Sequence, residues 1–338
     1  MPKKPVNIGL IGAGRIGSFH GETVARRLVD AELVAIADPA PGAAANLAAK
    51  LDVDASYTDV AELLAHPGLD AVIIATPARF HTNVVVQAAE AGKAVFCEKP
   101  MALTLEDAER AVAAAKSAGV PLQVGFNRRW DQAFAEGRAA IDAGKVGTPQ
   151  LIRSLTRDPG PFGADPDRIP LWTIFYETLI HDFDTLLWLN PGAKATEVYA
   201  VGDALVRPDA KDKGFLDTAV VTIRFDNGSV AVAEANFCAM YGYDIRGEVF
   251  GSGGMITMGD VRRSSMTMFD KDGVSNDTWR RDTDHFIHGY TAQLASFAKT
   301  VREGKLSGGA TGHDARQALA IALACIESVQ KKAPVPVK

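Results

Sequence analysis

The stretch VNIGLIGAGRIGSFH, residues 6–20, constrains this chain more than any other. A short apolar run from Val6 to Ile11 leads into Gly12, Gly14 and Gly17, spaced as G-x-G-x-x-G. A strand that turns sharply into a helix needs glycine at each place. The first permits the turn, the second lets backbone approach a pyrophosphate, and the third lets helix pack on strand. The helix that follows offers free N–H groups and a positive dipole end to phosphate. Three spaced glycines are weak by themselves in a chain with 31 of them. Context strengthens them. ELVAIAD ends at Asp38, where an acidic residue can accept from both ribose hydroxyls. Its charge repels the additional phosphate of NADP, and Pro39 and Ala40 cannot bind that phosphate, so NAD is the favoured cofactor. The alternative for Asp38 is a turn residue before proline.

Strand and helix signals then alternate. AVIIATP (71–77) is a buried strand, HTNVVVQAAEAG a helix ending at Gly92, and AVFCEKP a strand ending at Lys99. LTLEDAERAVAAAKSAG is a helix with Thr104 as N-cap and Gly119 past its end, and VPLQVGF is a sixth strand. Such alternation implies a doubly wound parallel sheet with helices on both faces, which binds ligands beyond the carboxyl ends of its strands. Thr76, Pro77, Glu98, Lys99 and Asn127 lie just past such ends.

After about residue 126 the pattern changes. RSLTRDPGPFGADPDRIP reads as a loop, followed by a helix over roughly 174–189. Consecutive strand-like runs come next: EVYAVGDALV, DTAVVTIRF, GSVAVAEANFCAM, YDIRGEVFG and GMITMG. Asp226-Asn227-Gly228 signals a hairpin between two of them. Strands without intervening helices make an α+β domain with an open, mostly antiparallel sheet. Two helices close the chain near 284–303 and 312–331. The expected division is a dinucleotide-binding domain over 1–125 and a substrate-binding and oligomerisation domain over 126–338.

Composition agrees with this plan. The 338 residues suit two domains at ~150 residues each. Hydrophobic residues make up 47% and charged ones 23%, an ordinary globular balance. The net charge of −5 and the lack of a long basic run exclude nucleic acid as an expected partner. No apolar run follows MPKKP to make a signal peptide, and none approaches the ~20 residues of a membrane helix. Cys97, Cys238 and Cys325 match no zinc or disulfide spacing, which points to a reducing cytoplasm.

YETLIHDFD, residues 176–184, places Glu177 four residues before His181, on one face of a helix. The pair is either an acid/base unit or a surface ion pair. Asp182 and Asp184 flank His181, but neighbours on one helix point in different directions, so no metal is expected.

GAGRIG, CEKP, VGFNRRW and ETLIHDFDTLLWL together resemble the Gfo/Idh/MocA family of NAD(P)-dependent dehydrogenases. Within it, FNRRWD, TRDP and YGYDIRGEVFG are most similar to the inositol 2-dehydrogenases. The resemblance runs through nearly the whole chain. It implies a Rossmann domain, a second domain with an open sheet, and a homotetramer joined through those sheets. It also implies that Arg15 and Ile16 join the cofactor contacts, that Lys99 lies beside nicotinamide and the reacting hydroxyl, and that His181 is the catalytic histidine. Glu177 stands where the family commonly has aspartate. Arg128, Thr178, Tyr241 (or Tyr243) and Tyr290 are implied to reach the substrate. Two departures affect the pocket: Glu177 is one methylene longer than aspartate, and IPLWTIFY lacks the glycine pair of many relatives.

The chemistry expected is oxidation of a secondary hydroxyl of a cyclic polyol, with hydride to NAD and the proton to His181. Glu177 would hold the imidazole, and Lys99 would stabilise the alkoxide-like oxygen or share the proton transfer. Several residues keep two readings. Arg128 or Arg129 faces inward; Asp158 binds hydroxyls or starts a turn; Trp172 walls the pocket or packs the core. His81 approaches the nicotinamide ribose or opens a helix, and His20 caps or packs. The competing functions are a dehydrogenase of another sugar (a pyranose), an NAD-dependent glycosidase, and a non-catalytic sugar sensor.

Overall fold

The computed structural model describes residues 4–160, 169–306 and 308–338. The chain forms two compact units. The first is Met1–Trp130 with His288–Arg316, and the second is Asp131–Ile287 with Gln317–Lys338.

The first unit is the expected alternation. β1 (Val6–Ile11), α1 (Arg15–Arg27), β2 (Ala31–Ala37), α2 (Ala43–Leu51), β3 (Ala55–Tyr57), α3 (Val60–Leu64), β4 (Ala71–Ile74), α4 (His81–Glu90), β5 (Ala94–Cys97), α5 (Leu105–Ala118) and β6 (Leu122–Val124) follow in order. Every residue of β4 and β5 is buried, as strands covered on both faces require. Thr104 caps α5 by accepting from the Asp107 N–H, and Gly119 ends it at φ +67°. The strands from β1 to β6 pair in parallel, in the order β6-β5-β4-β1-β2-β3. The order reverses between β1 and β4, which opens a crevice at their carboxyl ends.

The contiguous division at 125/126 is corrected by the return of 288–316. From α9 (Ile287–Glu303), Leu294, Phe297 and Ala298 are buried in the same core cluster as Ile8, Leu10 and Phe96. β15 (Ala310–Thr311) adds an antiparallel seventh strand beside β6. The apolar stripe of α9 had to be buried somewhere, and its spacing along the chain does not say against which sheet.

In the second unit, α6 (Gln132–Asp142), β7 (Pro149–Arg157), a π-helical turn (Ile174–Leu179), α7 (Ile180–Trp188), β8 (Ala195–Asp203), β9 (Thr218–Phe225), β10 (Val230–Asn236), β11 (Asp244–Gly251) and β12 (Gly254–Met258) come first. β13 (Arg262–Asp270), β14 (Gly273–Thr278), α8 (Asp282–His285), α10 (Gly312–Lys331) and β16 (Val335–Pro336) complete the elements. The main sheet has the order β12-β11-β7-β10-β9-β8-β16. It is antiparallel except where β10 runs parallel to β7. Alternate residues of β9 are buried and exposed, so one face is open. The hairpin at 226–228 forms as expected, with Gly228 at φ +84°.

Three expectations fail here. The segment Arg153–Arg157 is strand, not loop, while residues 161–168 of that proposed loop lie outside the described residues. Its inward positions include Ser154 and Thr156, so the alternation carries no apolar signal. α6 and the exposed β13–β14 hairpin were not expected from the sequence pattern. The helix over 174–189 begins with a π turn rather than as uniform α-helix.

Candidate active site

In the first unit the candidate residues collect at the carboxyl ends of the strands. Gly12 sits at φ +103°, and a Cβ there would lie 2.6 Å from the Ala75 carbonyl oxygen. A Cβ on Gly17 would lie 1.9 Å from the carbonyl oxygen of Gly12, so helix and turn can pack only without one. Gly14 differs: a Cβ there meets nothing within 4 Å. It is the N-cap of α1 and has no side chain to satisfy the first N–H groups. Open space at an uncapped N-terminus fits a phosphate. Arg15 opens α1 exposed, and Ile16 packs against the core cluster.

Asp38 follows β2. One carboxylate oxygen accepts from the Ala13 N–H at 2.7 Å and the other from the Ala40 N–H at 2.8 Å. Asp38 therefore makes the turn before the next element and is also tied to the glycine loop. Each oxygen retains a lone pair for a ribose hydroxyl. The Thr76 hydroxyl is buried and makes no hydrogen bond among the described residues, leaving a polar atom available to a ligand. Pro77 is exposed beside it. The open cradle at Gly14, the anchored Asp38 and this hydroxyl suit a dinucleotide.

His81 opens α4 and is 2% exposed. Its Nδ1 lies 2.8 Å from the Pro100 carbonyl oxygen and its Nε2 2.7 Å from that of Thr76. Carbonyls only accept, so a neutral imidazole donates to one of them and an imidazolium to both. The ring ties the end of β4 to the segment after Lys99.

Glu98 is also turned inward, 5% exposed. Burial raises its pKa, but the hydrogen bond and charge of His20, with Lys99, outweigh this and hold it below the usual carboxylate value. Burial, reinforced by Glu98, pushes the neighbouring Cys97 thiol well up, which leaves it inert. Asn127, Arg128 and Arg129 are all buried, so both arginines, not one of them, are turned inward. Arg129 pairs with Asp314 at 3.5 Å. Tyr290, expected in the second domain, belongs to the first unit, where its ring packs edge-on to Phe19 (5.1 Å) and His20 (5.7 Å).

In the second unit Glu177 and Thr178 lie in the π turn, and His181 in the first turn of α7. Glu177 and His181 thus stand on either side of a junction between π and α backbone. Glu177 and His181 are half-buried, and Nδ1 of His181 is turned inside. Thr185 donates to the His181 carbonyl at 2.7 Å. Trp172, just before the π turn, takes φ +59°, a left-handed conformation that costs a non-glycine residue roughly 1–2 kcal/mol. Strain of this kind gathers at functional sites.

Asp182 is wholly buried and accepts from Ser154 Oγ at 2.5 Å and Thr156 Oγ1 at 2.7 Å. It fastens α7 to β7. Among the described residues no group of three or more His, Cys, Asp or Glu is placed to hold a metal. Asp158 accepts from the Gly160 N–H at 2.6 Å, which is its turn-forming role. Tyr241 donates to Asp244 at 3.0 Å. Burial raises the Tyr241 phenol above its usual value, with Arg157 opposing and Asp244 reinforcing. The left-handed backbone at Trp172 is a feature that residue type does not signal.

Known proteins resemble both units. Residues 6–126 match the model of the oxidoreductase family with an NAD-binding Rossmann fold, and residues 134–257 match the GFO/IDH/MocA C-terminal domain. Myo-inositol 2-dehydrogenase of Thermotoga maritima is 36% identical over 331 residues, 98% of each chain. The scyllo-inositol 2-dehydrogenase (NAD(+)) of Bacillus subtilis is 36% identical, covering 98% of this chain and 96% of that protein. The structure of scyllo-inositol dehydrogenase from Lactobacillus casei with NAD(H) and scyllo-inositol superposes with a TM-score of 0.94 at 28% identity, covering 99% of both chains. The chain belongs to the Gfo/Idh/MocA family of oxidoreductases, and it is an NAD-dependent enzyme acting on CH–OH groups.

Proposed function

We propose that the chain oxidises one secondary hydroxyl of an inositol-like cyclic polyol to the ketone. The observation that carries this is the 36% identity to inositol 2-dehydrogenases along 98% of the chain. The cofactor, when bound, supplies a hydride acceptor. Gly12, Gly14, Arg15, Ile16 and Asp38 would hold its adenosine and pyrophosphate portion. Thr76, Pro77, His81, Glu98, Lys99 and Asn127 would shape the nicotinamide end. Lys99 donates to the reacting oxygen as negative charge develops. His181 takes the hydroxyl proton, and Glu177 orients the imidazole and favours its charged form. Arg128, Asp158, Trp172, Thr178, Tyr241 and Tyr290 are assigned to the remaining hydroxyls. Per turnover, one alcohol and one NAD⁺ give one ketone, one NADH and one proton.

A homotetramer joined through the open sheet face belongs to the same reading. Tyr199, Val201, Val220, Phe250 and Met255 are exposed apolar residues on that sheet, and a patch of this kind favours self-association. Light scattering should give four chains per particle. A cytoplasmic setting is supported by three cysteines that form no disulfide. No helix among the described residues is long and apolar enough to cross a membrane.

The test is a panel of inositol isomers and pyranoses with NAD⁺ and with NADP⁺, read as reduced nicotinamide. The expected result is reduction with at least one inositol, and faster with NAD⁺. Cleavage of a glycoside without net reduction would replace this reading with that of an NAD-dependent glycosidase. Binding of sugar without turnover would make the protein a sensor.

A further inference from the structure

We infer that His20 is a positioning residue for Lys99, acting through Glu98. This inference rests on the proposed role of Lys99. Three elements of the first unit meet here. His20 lies in α1, the helix that carries the glycine cradle at its N-terminus, and is fully buried. Its Nε2 lies 2.6 Å from Oε1 of Glu98, just past the end of β5. The other oxygen of Glu98 accepts the backbone N–H of Lys99 at 3.1 Å. A carboxylate only accepts, so His20 carries its proton on Nε2. The imidazole therefore pins one oxygen and the Lys99 main chain the other.

The walls leave this carboxylate little freedom. A Cβ on Gly125 would stand 2.9 Å from Oε1 and 3.2 Å from Oε2 of Glu98, so that backbone passes directly beside it. The imidazole is boxed by the edge-on rings of Phe96 and Tyr290, both with centroids at 5.7 Å. Nδ1 of His20 is buried and makes no hydrogen bond among the described residues. The ring's one hydrogen bond among those residues is thus spent on Glu98. A histidine kept only to fill space would be replaced by an apolar ring without loss. Here the polar atom connects the cofactor helix to the residue that precedes Lys99. The arrangement fixes where the lysine side chain starts relative to the dinucleotide cradle, and displacement of about 1 Å in such a group costs on the order of 10²-fold in rate.

The test compares His20→Gln, whose side-chain amide can still donate to Glu98, with His20→Met and His20→Asn, which cannot donate or cannot reach. Turnover is followed with NAD⁺ and an inositol isomer that the wild type oxidises, NADH affinity by its fluorescence, and hydrogen exchange at the Lys99 amide by mass spectrometry. The expected result is a fall in kcat of about 10- to 100-fold in the Met and Asn variants. Polyol KM and NADH affinity should stay within about threefold, a band chosen to sit well below that loss in kcat. Exchange at Lys99 should be faster in both, and His20→Gln should restore most of kcat and of the protection. Equal kcat in all four proteins would overturn the inference, as would equal damage in the Gln variant. Failure of both Met and Asn variants to fold would mark His20 as a core residue only. If the wild type oxidises no inositol, the functional reading fails, while the exchange result still decides whether His20 holds the Lys99 segment.

Discussion

The two units place their candidate residues by different means. In the first, six strands end at one edge of a parallel sheet, and candidates just past them are tied to backbone: Asp38 to the glycine loop, His81 to Thr76 and Pro100, Glu98 to Lys99. In the second, Glu177 and Thr178 ride on a π turn preceded by a strained tryptophan, with Asp182 behind them fastened to Ser154 and Thr156. A site for a common cofactor can be written in strand register. The second unit's candidates stand instead on irregular backbone, where one residue more per turn re-aims a side chain.

The greatest losses of activity are expected at one residue of each unit. Lys99→Met in the first unit and His181→Ala in the second should each lower kcat by on the order of 10²–10⁴-fold, the usual weight of a proton-transfer or charge-stabilising group. NADH binding, read by fluorescence, should survive both. Next is the fastening of α7. Asp182→Ala strips the Ser154 and Thr156 hydroxyls of a buried acceptor, and urea unfolding should register a loss of about 3 kcal/mol. A loss below ~0.5 kcal/mol, the scale of ordinary surface substitutions, would show that Asp182 does not hold the second unit's candidates in place.

A smaller change sharpens the cofactor side. Asp38→Ala should raise the ratio of NADP⁺ to NAD⁺ efficiency by about tenfold, because a like charge near the 2′-phosphate is removed. An unchanged ratio would leave Asp38 only its turn. The smallest effect concerns acid. Glu98 has a folded pKa below its ordinary 4.5, so its contribution to stability is present above that value and is lost as pH falls through the folded one. Glu98→Gln should flatten the stability–pH curve in that acid window and nowhere else. The same slope in both proteins would contradict the ion-pair account of Glu98.

Much of the first unit was legible in the sequence because each of its signals is local. The glycine fingerprint, Thr104 before α5 and Gly119 after it each act within a few residues. The return of α9 and β15 was not legible, since an apolar stripe does not name its partner sheet. β7 was hidden because its buried positions include Ser154 and Thr156, chosen to meet Asp182 rather than to be apolar. Among the candidates, the positions of Lys99, Asp38 and Thr76 just past strand ends were readable from the sequence. The left-handed Trp172, the π turn and the inward aim of Glu98 and His81 depend on tertiary packing that residue type does not encode.

Hydride transfer from a polyol carbon to the nicotinamide can be read by isotope labelling. A cyclic polyol deuterated at its hydroxyl-bearing carbons is supplied with NAD⁺, and the ketone and the reduced cofactor are analysed by mass. One deuterium is expected on the reduced nicotinamide for each ketone formed. Unlabelled reduced cofactor, or product without net reduction, would contradict it.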